Sequence, residues 1–164
     1  MIVFQSTQDK VLAALQSVAG IVERRHTLPV LANVLIRKTA GEVQLTTSDL
    51  EIQIRTQVDL GGEDAAFATT VGARKLIDIL RTLPSDQLVS LESAQNKLIL
   101  KGGKSKFTRR TLPADAFPLV QEAPSFGPAF SVPQKTLKSL LNQVSFSMAV
   151  HDIRYYLNGI LFVA

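Results

Sequence analysis

Apolar and polar positions follow two different periods along this chain. From Leu50 to Leu60 they alternate almost strictly, and a period of two predicts an antiparallel strand with one buried face. From Val11 to Val22 the apolar residues recur every three or four positions, which predicts a helix that buries one stripe. On the strand, the side chains expected to be buried are Leu50, Ile52, Ile54, Val58 and Leu60.

The predicted elements occur in the same order twice. Residues 1–60 give an apolar start, a helix that Ser6 or Thr7 can cap, and three strand-like runs. Residues 66–112 give a strand, a helix over 73–83 and three further short strands separated by turn residues. The predicted fold class is α+β, a domain of two β-α-β-β-β halves in which two helices pack on antiparallel sheets. Each half has one helix to cover its own strands.

A second, shorter copy of the same pattern follows a linker. Residues 113–128 hold four prolines and little regular pattern. A shift of 126 positions then aligns the end of the chain with its beginning, with Phe130 on Phe4 and Leu161 on Leu35. We therefore expect a complete domain over 1–125, and over 126–164 the beginning of a second one, truncated from a longer protein. This copy should again give strand, helix, polar link and strand, with its helix burying Leu137, Leu140, Leu141 and Val144.

The composition is that of an ordinary globular protein. At 46% apolar, the chain can bury a core of normal size. The absence of cysteine excludes disulfides, thiolate metal sites and cysteine nucleophiles. The N-terminus has no signal-peptide pattern, and no apolar run approaches the roughly 18 residues of a membrane span. We expect a soluble, cytoplasmic protein with no membrane partner.

Motifs that carry enzyme chemistry are absent from the sequence. No pair of histidines has metal-ligand spacing on a helix, and there is no nucleophile elbow and no phosphate-binding loop. The Gly102–Gly103 pair lies between two predicted strands, which indicates a hairpin turn. An enzyme would have to bring Asp49, Asp115 and His151 together, and we expect them to lie apart. We predict a protein with no catalytic residue, no metal and no cofactor.

Basic residues are concentrated in one segment, although the net charge of +4 is mild. Between Lys97 and Arg110 there are six basic residues and no acid. Lysines on an edge strand can prevent sheets from pairing edge to edge. They can also belong to a protein interface in which Phe107 is the apolar anchor. The residue pattern leaves both interpretations open.

The predicted helices turn basic groups away from their apolar stripes. On the second helix, Arg74, Asp78 and Arg81 lie opposite Leu76 and Leu80, with Lys75 beside them. The third helix carries Lys135 and Lys138 in the same way. One such helix could simply be a solvated face with an internal ion pair. A basic lining shared by repeated helices indicates a phosphate-backbone partner, bound without sequence preference.

Two loops at equivalent places in the repeat combine cations with aromatic or imidazole rings. They are Arg24–His26 and His151–Tyr156, and Arg25 aligns with His151. Arginine and tyrosine can hold phosphates and stack on bases. Partial packing of Tyr155 and Tyr156 into a core is an equally good interpretation of the pattern alone.

Five segments resemble the bacterial DNA polymerase III β subunit family, the sliding clamps. They are TLPVLANVLI (27–36), TSDLEIQI (47–54), VGARKLIDILRTLP (71–84), GGKSKFTRRTLPADAFP (102–118) and FSMAVHDIRYYLNGILF (146–162). The resemblance implies the DNA-clamp fold and a non-catalytic ring of two subunits around double-stranded DNA. It also implies polymerase III subunits and a clamp loader as partners of the full-length protein. The alternative is a non-catalytic protein-interaction scaffold with a basic surface.

The resemblance also implies roles for particular residues. Arg25, Arg74, Arg154, Tyr155 and Tyr156 match family positions near DNA, and the helix faces add Arg81 and Lys138. The positions that match the dimer interface are Lys75, Lys104, Lys106 and Phe107. Arg154 and Leu157 could also border the groove that binds clamp partners.

Overall fold

The computed structural model describes residues 1–22, 28–120 and 127–163. The chain forms two compact units, residues 1–121 and 122–164. This boundary lies within the predicted proline-rich linker. Each unit is described by itself below.

The first unit contains eight strands and two α-helices among its described residues. The strands are β1 (Ile2–Thr7), β2 (Asn33–Thr39), β3 (Glu42–Ser48), β4 (Gln53–Asp59), β5 (Phe67–Gly72), β6 (Leu88–Ala94), β7 (Lys97–Gly102) and β8 (Ser105–Arg110). The helices are α1 (Gln8–Val18) and α2 (Ala73–Arg81), and a 3-10 turn over Ala19–Ile21 extends α1. The predicted order β-α-β-β-β is therefore confirmed in both halves.

The eight strands form two four-stranded antiparallel sheets, with the orders β1-β6-β7-β8 and β4-β3-β2-β5. Each sheet thus takes three strands from one half and its remaining edge strand, β1 or β5, from the other half. The sequence did not predict this exchange of edge strands between the halves. The period of a sequence indicates a strand but does not specify the partner with which that strand pairs.

Backbone bonds also connect the two sheets outside the regular ladders. The amide of Gln5 in β1 donates to the carbonyl of Leu60, which follows β4, at 3.0 Å. In the other half, the amide of Thr70 in β5 donates to the carbonyl of Leu112, which follows β8, also at 3.0 Å. The residue that ends each half therefore bonds the edge strand with which the same half begins, and so joins the two sheets.

Both helices bury one apolar stripe against the sheets, as their periods predicted. On α1 the stripe includes Val11, Leu15 and Val18, and on α2 it includes Leu76 and Leu80. These side chains join strand residues from both sheets in one core. Each large aliphatic side chain buried in this way contributes about 1.5–3 kcal/mol relative to exposure.

The strand predicted to begin at Leu50 begins at Gln53 instead. Asp49 forms a turn, in which its Oδ1 accepts bonds from the amides of Glu51 (3.0 Å) and Ile52 (2.7 Å). Leu50 has a φ of 83° and is 50% exposed, and Ile52 is 53% exposed. The aspartate side chain competes with the sheet for these amides. The alternation of apolar and polar residues therefore begins before the strand does.

Lys38 is a buried cationic residue that the pattern did not single out. Lys38 lies on β2, and the residue is only 1% exposed. Its Nζ donates to the carbonyls of Val3 (2.8 Å) and Gly61 (2.7 Å). It therefore ties one sheet to the first strand of the other.

The second unit contains α3 (Gln134–Val144) and short 3-10 turns over Ser145–Ser147 and Tyr155–Leu157. Its described part, residues 127–163, has no strand, so the predicted strands on either side of α3 are wrong for this chain. The predicted burial of Leu140 and Val144 is also wrong, because both are exposed. A strand needs a partner for its backbone groups, and the described residues of this unit offer none.

Candidate nucleic-acid interface

A groove of about 880 Å³ runs between α1 and α2 in the first unit. Small residues, including Ala19, Gly20, Ala32 and Gly72, form part of its wall. Its charged residues are Arg74, Lys75, Asp78 and Arg81, all on α2. The groove therefore presents three cations and one carboxylate beside a surface that lets another molecule approach closely.

The position of these charges follows from the helical period. Leu76, Ile77 and Leu80 are buried, so residues 74, 75, 78 and 81 are turned away from the core. Arg81 lies in the last turn of α2, where a cation is favoured by the helix dipole. The structure thus brings together two of the predicted DNA-binding residues, Arg74 and Arg81.

Arg74 is not a freely solvated cation. Its Nε donates to the backbone carbonyl of Val22 at 3.0 Å, and its Nη2 donates to the same oxygen. One interpretation of the sequence was that the charges on this helix face are simply solvated. That interpretation does not hold for Arg74. A backbone carbonyl from the other helical segment occupies two of its five donors.

Lys75 also lines this groove, although the family resemblance implied a dimer-interface role. The other three residues implied in that interface lie elsewhere, at β8 and the turn before it. Lys104 and Lys106 are exposed, and Phe107 is half-buried and packs against the core. Phe107 stands opposite Leu100 in the β7–β8 ladder. β8 is an edge strand, and the described residues pair no strand with its outer side.

Arg25 lies outside the described residues, as do Arg24 and His26. The predicted contact of this loop with DNA stays a prediction. Val22 is the last residue described before this segment.

In the second unit, Arg154 forms a two-pronged ion pair with Asp152. Its Nε lies 3.0 Å from Oδ1 and its Nη2 lies 3.1 Å from Oδ2, and its backbone amide also donates to Oδ1 at 2.8 Å. The guanidinium lowers the pKa of Asp152 below its ordinary value, and the carboxylate raises the pKa of Arg154. Both groups are at the surface, so solvent and salt weaken this attraction.

Tyr155 and Tyr156 are exposed rather than packed into a core of this chain. Their rings meet edge to face, with centroids 5.9 Å apart and planes at 78°. Tyr155 is 83% exposed and Tyr156 is 67% exposed. Lys138 is likewise exposed on α3. In the described part of the second unit, these three side chains are therefore accessible to a binding partner.

The residues considered for catalysis have other surroundings. Asp49 is engaged in the turn before β4, and Asp115 belongs to a 3-10 turn over Ala114–Ala116. His151 lies in the second unit at a φ of 58°. Across the described ranges, no three histidine, aspartate or glutamate side chains cluster in a way that could hold a metal ion. Within the same ranges, no helix has the length and hydropathy needed to cross a membrane.

Comparison with known proteins gives one consistent family. A profile described as "DNA polymerase III beta subunit, N-terminal domain" matches residues 2–121. The beta sliding clamp of Pseudomonas aeruginosa is 47% identical over 160 residues, which cover 96% of this chain and 43% of that protein. The beta sliding clamp of Escherichia coli K12 is 39% identical over 159 residues, or 97% of this chain and 43% of that protein.

Solved structures show the same similarity. The DNA polymerase III subunit beta of P. aeruginosa superposes with a TM-score of 0.88 at 45% identity, over 97% of this chain and 43% of that one. Caulobacter crescentus pol III beta gives a TM-score of 0.87 at 30% identity, over 97% and 42%. The chain spans less than half the length of these relatives. With a family profile matching most of its residues, this chain belongs to the DNA polymerase III beta subunit family, and it has the α+β fold of the sliding clamps.

Proposed function

We propose that this chain is the N-terminal portion of a sliding clamp. The complete protein would encircle double-stranded DNA in the bacterial cytoplasm and tether the replicative polymerase, so that processivity comes from topology and not from catalysis. Family membership supports this proposal. The cations that line the α1–α2 groove support it as well, because cations of this kind bind phosphates. Polymerase III subunits and a clamp loader would be partners of the longer protein.

The observation that carries the proposal is the set of cations that α2 presents to the groove. A surface of this kind binds phosphates through charge and releases counterions, so it does not depend on base sequence. Arg74, Lys75 and Arg81 all have exposed positions there, and Arg74 also donates to the carbonyl of Val22. Arg25, Lys138, Arg154, Tyr155 and Tyr156 would add contacts to the same partner, through their charges or by stacking.

Titration of the chain with labelled duplexes tests this function. We expect weak binding, equal for two unrelated sequences of the same length, with an affinity that falls linearly on a log–log plot against salt. Arg81→Glu should weaken binding to both sequences by the same factor. Lys104→Glu makes the same charge change on the turn before β8 and should weaken binding less. An affinity that does not respond to ionic strength would contradict the proposal.

The β8 edge would form the subunit interface of a homodimer in the longer protein. Its unpaired backbone groups can continue a sheet into a second subunit, and its lysines favour an acidic partner surface. Lys75, Lys104, Lys106 and Phe107 are the residues proposed for this contact. In a chain extended to the length of the relatives, Phe107→Asp should shift sedimentation from dimer to monomer. Thr108→Asp, which adds the same charge at the next exposed position, is the matched control.

The same basic edge supports the second candidate, a protein-interaction scaffold. Under that function, acidic proteins would bind the chain and DNA would compete only at low salt. Competition between a DNA duplex and an acidic polypeptide of equal charge distinguishes the two. Preference for the polypeptide, insensitive to Arg81→Glu, would favour the scaffold.

A further inference from the structure

A closed loop in the second unit presents both tyrosines of this protein. The loop runs from Asp152 to Asn158 and carries Tyr155 and Tyr156 in its 3-10 turn. Both rings are exposed, and they meet edge to face. Because the described part of this unit has no strand, no sheet there holds the loop in place. The order of the loop must therefore come from bonds within the loop and its immediate neighbours.

The side chain of Asn158 closes this loop. Its Oδ1 accepts from the amide of Asp152 at 3.0 Å, and its Nδ2 donates to the carbonyl of the same residue, also at 3.0 Å. A backbone amide can only donate and a carbonyl can only accept, so these two partners determine which end of the side chain is oxygen. Since a side-chain amide has the donor and the acceptor of a peptide group, Asn158 bonds Asp152 as a neighbouring strand would.

Backbone bonds order the turn that carries the rings. The amide of Leu157 donates to the carbonyl of Arg154 at 2.9 Å, and the amide of Asn158 donates to the carbonyl of Tyr155 at 3.1 Å. The amide of Ala149 donates to the carbonyl of Leu157 at 3.0 Å. These bonds shape the turn, whereas the side chain of Asn158 connects the turn to the start of the loop.

We propose that Asn158 is a positioning residue for Tyr155 and Tyr156 in DNA binding. It acts through the two rings and makes no contact with DNA itself. By closing the loop it presents both rings in one arrangement, so less conformational freedom is lost when DNA binds. This inference rests on the proposed function, since it takes the two tyrosines as DNA contacts.

The composition of the chain makes the loop directly observable. The protein has two tyrosines and no tryptophan, so the tyrosine signal in near-ultraviolet circular dichroism comes only from Tyr155 and Tyr156. Asn158→Ala removes both bonds to Asp152 and changes no charge. Without DNA, we expect a weaker tyrosine signal in this variant and a smaller NMR shift difference between the two rings. Gln143→Ala, which removes an exposed amide from α3, is the matched control and should keep both signals.

Titration with a labelled duplex then measures the effect on DNA binding. Asn158→Ala should weaken binding by about threefold to tenfold, because the rings are then correctly placed in only a fraction of the molecules. The slope of log affinity against log salt should stay as in the wild type, because no charge has changed. Gln143→Ala should bind like the wild type. Far-ultraviolet circular dichroism confirms that each variant is folded before affinities are compared.

A chain without the two rings shows whether Asn158 acts through them. The double variant Tyr155→Ala/Tyr156→Ala should lose at least as much affinity as Asn158→Ala. In that background the further change Asn158→Ala should leave affinity unchanged, because a residue that acts only through others has no effect once they are removed.

Three results would overturn the inference. The first is a tyrosine signal and ring shifts in Asn158→Ala that equal those of the wild type. The second is wild-type DNA affinity in Asn158→Ala, and the third is an equal loss of affinity with and without the rings, which would mean direct contact of Asn158 with DNA. If the wild type shows no salt-dependent binding, the proposed function fails and this inference fails with it. A changed tyrosine signal in Asn158→Ala would in that case show a structural role only.

Discussion

Gly62 illustrates how closely the chain approaches itself where the two sheets meet. Its φ is 97°, and a Cβ at this position would lie 2.7 Å from the carbonyl oxygen of Val3 and 2.8 Å from Nζ of Lys38. The same Nζ bonds Val3 and Gly61, so neither neighbour can move without loss of a buried bond. The residue at this place must therefore have no side chain.

Replacing Gly62 with alanine should destabilise the first unit by about 1–3 kcal/mol or more, because strain and the close contacts add. Gly41→Ala is the matched control, since Gly41 also has a positive φ of 83° but nothing within 4 Å of the added atom. Urea unfolding measures both changes. Equal losses for the two variants would show that the contacts with Val3 and Lys38 contribute nothing.

The Asp152–Arg154 pair gives a residue-scale prediction of pH dependence. The pKa of Asp152 is lowered in the folded chain by Arg154, so its contribution to stability is present above the ordinary aspartate pKa. That contribution is lost as pH falls through the lowered value. Carboxyl NMR titration should give Asp152 a pKa below 3.8, and Arg154→Ala should raise it. A pKa that stays the same in Arg154→Ala would exclude the ion pair in solution.

At the scale of elements, the turn before β4 determines where the strand begins. Asp49→Ala removes the acceptor for two backbone amides and should cost about 1 kcal/mol in the free energy of unfolding. Asp49→Asn keeps an oxygen at the same place and should recover most of the loss. Urea unfolding compares the three proteins. A loss in Asp49→Asn as large as in Asp49→Ala would assign the effect to charge and not to the turn.

Most helices and strands of the first unit could be predicted from the sequence, because each is marked by a local period and by turn residues. The stripes Val11–Val18 and Leu76–Leu80 show this most clearly. The prediction of a strand from Leu50 failed because the side chain of Asp49 accepts hydrogen bonds from the backbone amides that follow it. The predicted strands of the second unit failed because a period cannot supply the partner that a strand needs.

The candidate site was predictable only in part. Helical spacing placed Arg74, Lys75 and Arg81 on one face, and the groove confirms that they lie together. The sequence holds no local signal for the bond of Arg74 to Val22, or for that of Gln8 to Leu80, because both join residues far apart in the chain.

At the scale of the whole molecule, the exchange of edge strands makes the halves of the first unit depend on one another. β1 belongs to the sheet of β6–β8, and β5 belongs to the sheet of β2–β4. Neither sheet can be complete while the other half is unfolded. The first unit should therefore unfold in one cooperative transition.

NMR signals from the two sheets test this cooperativity in urea. The amides of Val34 in β2 and Leu91 in β6 should lose intensity at the same urea concentration, within error. A chain limited to residues 1–60 should show no dispersed spectrum. Two separate midpoints, or a folded half, would contradict the interdependence of the sheets.

Strand exchange also affects how the protein is made. Ile2–Thr7 leaves the ribosome before the other strands of the first unit, yet its partner is Leu88–Ala94, and strands β2–β4 emerge in between. A pairing with so large a sequence separation is slow to form and must wait for translation to reach the second half. During that interval an apolar strand has no partner in its own chain. The nascent protein is then most open to aggregation, and chaperones have their longest opportunity to bind it.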